Sequence, residues 1–414
     1  MRIVLSILLF FCVALTYAQD PSFSDIRSTR FLLNPAYVGR LNDLSISSSI
    51  KQQWSNVPNK LSYNYLSGAI GCVEKNISFG GNFINTNQGE GLLRSNQLNG
   101  IVASMIPIHK GSSREPYTID LSAAFQTGFG QKSVDWNRLV FSDQLDPTYG
   151  AIYATNATPV YWSSPIYNLS AFGVLLDVYS NNPNNTNLVP SGNWKLTQSS
   201  GSLGFSMNNV GASGESFLGN PQTRIAARYV AHVSYDMIIS DKSHYEFYTG
   251  FRYVRQWQQD QVKNMYGITY LVPDVQMVSF WLSSGNRPIQ AMNLGVYLFV
   301  GDSRQTMIGF NYEYALGSLN ISETQRTTEL SINHIFNGIS SCRIKPKKAY
   351  GFFGRPKQIC PPPGGDGILP FNINRSLKEQ KQFVDGHKNN QYSTKNKRRL
   401  KKAPDLKIIK GFTL

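Results

Sequence analysis

The chain has 414 residues, 12% of them aromatic and only 16% charged, with a formal net charge of +15. An ordinary soluble domain is about 25% charged, so this composition argues against a water-facing globule and for strands with one polar and one apolar face. The positive charge is no signature of nucleic-acid binding, because it is confined to the end of the chain. Residues 339–414 hold 18 of the 40 Lys and Arg and 4 of the 25 Asp and Glu, a local net of +14, which leaves the remainder nearly neutral.

In chain order, Arg2 precedes an apolar run from Ile3 to Leu15 that gives way to small residues up to Ala18. This pattern predicts a secretory signal peptide over 1–18, cleaved between Ala18 and Gln19. The competing reading is an uncleaved anchor. The run is about a dozen residues, whereas a spanning helix needs about 20. A lead-in over 19–40 follows, with Pro21 and Pro35. Proline donates no backbone hydrogen bond and pushes the preceding residue, here Asp20 and Asn34, toward extended geometry. A segment of this kind suits packing in a lumen or at its mouth; a plain turn before the first strand is the alternative.

From 41 to 338 the dominant signal is period-2 alternation. In 117–130, Tyr117, Ile119, Leu121, Ala123, Phe125 and Phe129 alternate with Thr118, Asp120, Ser122, Gln126 and glycines. Such alternation marks a half-buried strand, and its length exceeds the usual strand of about 5–6 residues. Strands this long suit a membrane barrel, whose tilted strands need about 9–11 residues to cross. A soluble sandwich would have shorter strands and more surface charge.

Fourteen strands are predicted, near 42–54, 61–73, 76–86, 92–106, 117–131, 165–179, 199–210, 224–238, 243–255, 263–272, 275–284, 289–300, 305–317 and 327–336. The predicted fold is therefore all-β, a transmembrane antiparallel β-barrel. Links after even strands should be tight periplasmic turns and those after odd strands longer surface loops; the links 107–116 and 180–198 are longer than that rule wants. Residues 339–414 lose the alternation and predict a basic, largely extended periplasmic tail. Cys342 and Cys360 bracket a Pro/Gly/Lys-rich stretch at its start and form a candidate disulfide, with metal ligation as the alternative. Lys397, Arg398, Arg399, Lys401 and Lys402 form a basic run. It reads as a solvated end, as a contact for an acidic periplasmic partner or anionic lipid, or, least of all in that compartment, as a contact for nucleic acid.

The chain carries none of the common nucleophile-elbow, phosphate-loop, zinc-protease or Cys-x-x-Cys motifs, so no catalytic, cofactor or metal residues are assigned. His232 and His244, with Ser234 and Asp236 nearby, are the only grouping that suggests hydrolysis. Polar lining of a lumen accounts for them better.

Gln19-Asp-Pro-Ser-Phe23, Asn34-Pro-Ala-Tyr-Val-Gly39 and a first strand ending Lys51-Gln-Gln-Trp54 resemble the PorP/SprF family of outer-membrane proteins from Bacteroidetes type IX secretion systems. The matching positions are Gln19, Asp20, Pro21, Phe23, Asn34, Pro35, Ala36, Tyr37, Gly39, Gln53 and Trp54. The family pattern has Arg/Lys-x-Gln-Trp at the last of these elements. The likeness extends through Phe125-Gln-Thr-Gly-Phe-Gly-Gln131, Asn137 to Gln144 and Glu329 to Phe336. The resemblance implies a non-enzymatic outer-membrane barrel that needs no cofactor. Its implied partners are a secreted surface adhesin or its C-terminal secretion domain, periplasmic and outer-membrane components of the type IX system, and outer-membrane lipid, with no nucleic acid among them. A transport channel for small solutes or oligomers is the alternative.

Overall fold

The computed structural model describes residues 22–40, 44–54, 60–72, 76–89, 92–109, 117–156, 161–180, 194–211, 214, 216–217, 225–241, 246–272, 276–285, 289–300, 306–316 and 326–336. The strands are β1 Leu44–Gln53, β2 Leu61–Cys72, β3 Ile77–Gln88, β4 Leu93–His109, β5 Tyr117–Ser133, β6 Leu145–Asp146, β7 Gly150–Ala151, β8 Tyr167–Ser180, β9 Trp194–Asn208, β10 Arg228–Asp241, β11 Glu246–Gln258, β12 Gln261–Val272, β13 Gln276–Ser284, β14 Ile289–Val300, β15 Thr306–Ala315 and β16 Arg326–Phe336. All but β6 and β7 join, each to its neighbour, in a closed barrel of fourteen strands that ends where β16 pairs with β1; β6 and β7 make a small hairpin in the link between β5 and β8.

The alternation read from the sequence becomes an inside and an outside. Along β5, Asp120, Ser122, Ala124 and Gln126 are buried toward the lumen, while Phe125 and Phe129 are 43% and 60% exposed on the outer wall. The same outward set includes Leu66, Phe79, Leu98, Phe172, Phe251, Leu294, Phe310 and Leu330, all exposed. A water-facing protein does not present a continuous apolar wall of this size; a bilayer requires one. Tyr229 stacks on Trp257, and Tyr253 packs on Tyr266, as in the aromatic girdle of a membrane interface.

Several strands run further than the alternation suggests, among them β9, β4, β10 and β11. β9 starts at Trp194, not near 199, because the β9–β10 register slips: Ile238 pairs with Gln198 but Ile239 with Leu196. The ladder skips Thr197, and a strict period-2 reading stops at such an irregularity. β4 likewise continues through Pro107 to His109 across a second register shift, which accommodates a proline that cannot donate to the ladder. The long links 134–166 and 209–227 fall on one end, the predicted outer one. On that same end, β11 and β12 are joined by the tight turn Gln259–Asp260, so the rule of long outer loops holds for some links only.

Candidate functional site: an occupied lumen and an outer loop

The lumen is filled by the chain's own segment 22–40. Its fold starts at Asp25, whose carboxylate accepts from Arg27 N (3.1 Å) and Ser28 Oγ (2.7 Å), while its carbonyl accepts from Thr29 Oγ1 (2.7 Å). This turn leads into one helical turn, Arg30–Leu33, which ends at Asn34 with φ −153 and ψ 117. That is the extended geometry expected before a proline. A 3-10 turn, Pro35–Arg40, completes the segment.

Three groups of contacts hold the plug. At its start, near the outer end of the barrel, Phe23 packs on Tyr63 and Tyr65 at ring distances of 6.0 and 5.7 Å. Beside it, Lys51 Nζ reaches Ser22 O (2.8 Å), Ser24 Oγ (3.0 Å) and Glu313 (3.2 Å), and Lys263 Nζ donates to Ser22 Oγ (2.7 Å). In the middle, Phe31, Ala36 and Val38 pack on Ala69, Ile101, Ala103, Ala124 and Leu175, and Leu33 packs with Val230, Val254, Met265 and Trp281. Toward the periplasmic end, Arg40 Nε lies 3.2 Å from Asp177, both side chains being at most 10% exposed. Charges removed from water in this way persist only when paired and hydrogen-bonded.

The family motif residues divide between two places. Phe23, Asn34, Pro35, Ala36, Tyr37 and Gly39 are plug residues. Asn34 Nδ2 lies within hydrogen-bond distance of Val174 O (3.0 Å), Phe205 O (3.3 Å) and His232 Nε2 (3.2 Å), and its Oδ1 accepts from Ala36 N (2.9 Å). Tyr37 stacks on the His232 ring at 5.3 Å. His232, the centre of the one grouping that suggested hydrolysis, therefore faces the lumen and holds the plug. Ser234 and Asp236 are also buried on the lumen side, and Asp236 is taken by Tyr248 and Arg252. Gln53 and Trp54 sit apart from the plug at the outer end of β1, where Trp54 N donates to Arg326 O (3.0 Å). Ala18, Gln19, Asp20, Pro21, His244, Cys342, Cys360, Lys397, Arg398, Arg399, Lys401 and Lys402 lie outside the described residues.

Apart from His232, the charged wall residues that bind the plug were not singled out from sequence. Glu313, Glu329, Lys263 and Asp177 occupy inward positions of strands, and the signal available was a charge at a lumen-facing place in the alternation. Two gaps between plug and wall are lined by described residues. One gap of about 30 Å³ is lined by Leu32, Asn99, Gln126, Asn208 and Arg228 among others, and another of about 20 Å³ by Phe23, Lys263, Trp281, Asn293 and Glu313 among others. Each holds a water or two, and neither passes a hydrated solute.

The outer link 134–166 is ordered by polar caps while it displays apolar side chains. Val134 N donates to Trp162 O and Ser164 N to Lys132 O, which extends the end of β5. Asp143 accepts from Asn156 N (2.7 Å) and Thr155 Oγ1 (2.9 Å); Asp146 accepts from Thr148 N (2.8 Å), Tyr149 N (2.9 Å) and Tyr153 OH (3.0 Å). The backbone N–H of Asn156, with the Thr155 hydroxyl, holds the Asp143 carboxyl below the usual range, and those of Thr148 and Tyr149 do so for Asp146. Around this frame Tyr149, Tyr153, Tyr161, Trp162, Val140 and Ile152 are all more than half exposed.

A family model described as "Type IX secretion system membrane protein PorP/SprF" matches residues 15–333. No curated protein matches. Among solved structures, the chain is similar to the CymD monoaromatic hydrocarbon channel, at 10% identity and a TM-score of 0.38, covering 75% of this chain and 93% of that one. It is similar to the outer membrane protein Omp33 of Acinetobacter baumannii, at 8% identity and a TM-score of 0.34, covering 72% and 100%. The KdgM porin gives 8% identity and a TM-score of 0.30, covering 70% and 99%.

Proposed function

The chain belongs to the PorP/SprF family of type IX secretion system membrane proteins, and we propose that it serves this outer-membrane system as a non-enzymatic anchor that helps deliver or hold a secreted surface protein. The single observation that carries the reading is the filled lumen: a barrel corked by its own chain is built to hold something at its rim, not to pass solutes. The alternative, a solute channel, needs an open path past the plug, and the two gaps lined by described residues are water-sized.

The outer link 134–166 is the contact face in this reading. Exposed aromatics on a pre-ordered loop are what an interface hot spot needs, since little ordering entropy remains to be lost on binding. Replacing Tyr149 and Trp162 together with Ala is expected to weaken retention of the surface protein at least about tenfold, the loss of one hot spot, with the barrel still inserted. Co-purification of the surface protein with full-length and variant barrels measures this; undiminished capture by the double variant defeats the assignment of the loop.

Acid provides an independent check on the same face. The folded values of Asp143 and Asp146 are depressed, so their contribution to loop order is fully present above the unfolded carboxylate value of about 3.9. It is lost as pH falls through the folded values. Amide protection at Thr148 and Asn156 is expected to hold from about pH 8 to about pH 5 and to fall below about pH 4. Protection unchanged into that acid range shows that the two caps do not order the loop.

A further inference from the structure

The plug's first residues lie across the one place where the barrel closes on itself. β1 and β16 form the seam, paired from Leu44↔Phe336 to Gln53↔Thr327. Glu329 of β16 faces the lumen and bonds in two directions. Its Oε1 accepts from Ser49 Oγ of β1 (2.6 Å), and its Oε2 accepts from the backbone N–H groups of Ser24 (2.6 Å) and Asp25 (3.2 Å) of the plug. Asp25 in turn accepts from Ser331 Oγ of β16 (2.6 Å). Opposite Glu329 in the seam register, Lys51 of β1 donates to Ser24 Oγ (3.0 Å) and pairs with Glu313 of β15 (3.2 Å), with Ser24 Oγ donating to the same carboxylate (2.6 Å). Residues 24 and 25 therefore bond to both sides of the seam at once, inside the lumen and away from lipid.

We infer that residues 22–25 are an internal clamp on the barrel's closing seam, with Glu329 the positioning residue that ties the plug, the first strand and the last strand together. The seam pairs segments at opposite ends of the barrel sequence, so its closure is the contact of longest sequence separation in the sheet and carries the largest loop-closure cost. Residues 22–25 precede β1 by some twenty positions and arrive with it. A carboxylate on β16 that accepts from both arriving elements converts two separate encounters into one joint docking. Its bonds are shielded from water, where hydrogen bonds are strongest.

The test is hydrogen exchange, strand by strand, on the full-length barrel in detergent. Glu329→Ala is expected to raise exchange in β1 and β16 at least about tenfold, the scale of leaving buried donors without their partner, while β11 and β12, remote from the seam, keep their protection. Ser24→Ala, which leaves the wall intact and removes only the plug's hydroxyl, is expected to give a smaller rise in the same two strands, and it stands in if Glu329→Ala does not fold. A disulfide between Ser48→Cys and Ile332→Cys, register partners on the seam, is expected to restore protection in the Glu329→Ala background. Uniform acceleration around the barrel, or no change at the seam in either variant, overturns the clamp and leaves Glu329 as one more plug contact.

Discussion

Planar bilayers holding the full-length barrel are expected to stay electrically quiet, and a variant lacking residues 22–40 is expected to conduct. About eight strands enclose a space that side chains alone can fill, while 16–18 leave an aqueous channel; fourteen lies near the second case. In the intact chain Phe31, Ala36, Val38 and Leu33 take up the middle of that space, and two gaps beside them lined by described residues are water-sized. Removing the segment uncovers a wall whose inward positions include Ser45, Ser47, Asn82, Asn99, Ser122, Ser202 and Asn311, a polar lining that water and ions wet readily.

A subtler variant tests the same point without shortening the chain. Asn34 and Pro35 sit where Gly173 has no side chain: a Cβ there meets Asn34 Oδ1 and the Pro35 ring, and a Cβ at Gly204 meets the His232 ring and Asn34 Nδ2. These two glycines are the socket for the Asn-Pro step. Gly173→Val is expected to cost the seated plug about 1–3 kcal/mol by overpacking, which appears as intermittent openings. Gly100→Val, on the lipid side with only a backbone oxygen at 3.9 Å, is the matched control and should remain quiet. A conducting full-length barrel, or a silent deletion variant, removes the ground for reading the protein as a corked anchor.

The barrel was legible because its signal is local and repeats. Each strand states its phase within a few residues, so 289–300 is predicted and found with the same bounds, while ends shift by a few residues elsewhere, as in β11, and a bulge such as the one skipping Thr197 hides a longer stretch. The plug was legible in part. Two prolines marked 19–40 as unsuited to strand pairing, and lumen packing was one of the places that suited it. Its contacts were not legible, because they join residues far apart in sequence: Ser24 to Glu329, Asn34 to His232, Arg40 to Asp177. No periodicity relates such pairs. Asn34 and His232 each have an ordinary local reading, a pre-proline residue and a polar lining residue, and become one site only when the barrel closes around them.

The last expectation concerns residues 339–414, proposed here as the link between the barrel and periplasmic components of the secretion machinery. The charge distribution is the argument. The seam brings the end of β16 to Leu44 at the start of β1, at the end of the barrel opposite the long links 134–166 and 209–227, which is the predicted periplasmic one, and residues 339–414 carry a net of +14. Polybasic segments gain about 1 kcal/mol per Lys or Arg near an anionic surface, within a Debye length of about 8 Å at physiological salt. Contacts made by Lys397, Arg398, Arg399, Lys401 and Lys402 should therefore be strong in sum and sensitive to salt. Deleting 339–414 is expected to leave the barrel inserted and the surface protein bound at the outer loop, while periplasmic partners no longer co-purify. Changing those five residues to Glu should remove part of that capture and most of its salt dependence. A truncated barrel that still recovers the same periplasmic proteins at low salt shows that the basic segment is a solvated end and that the link lies elsewhere on the barrel.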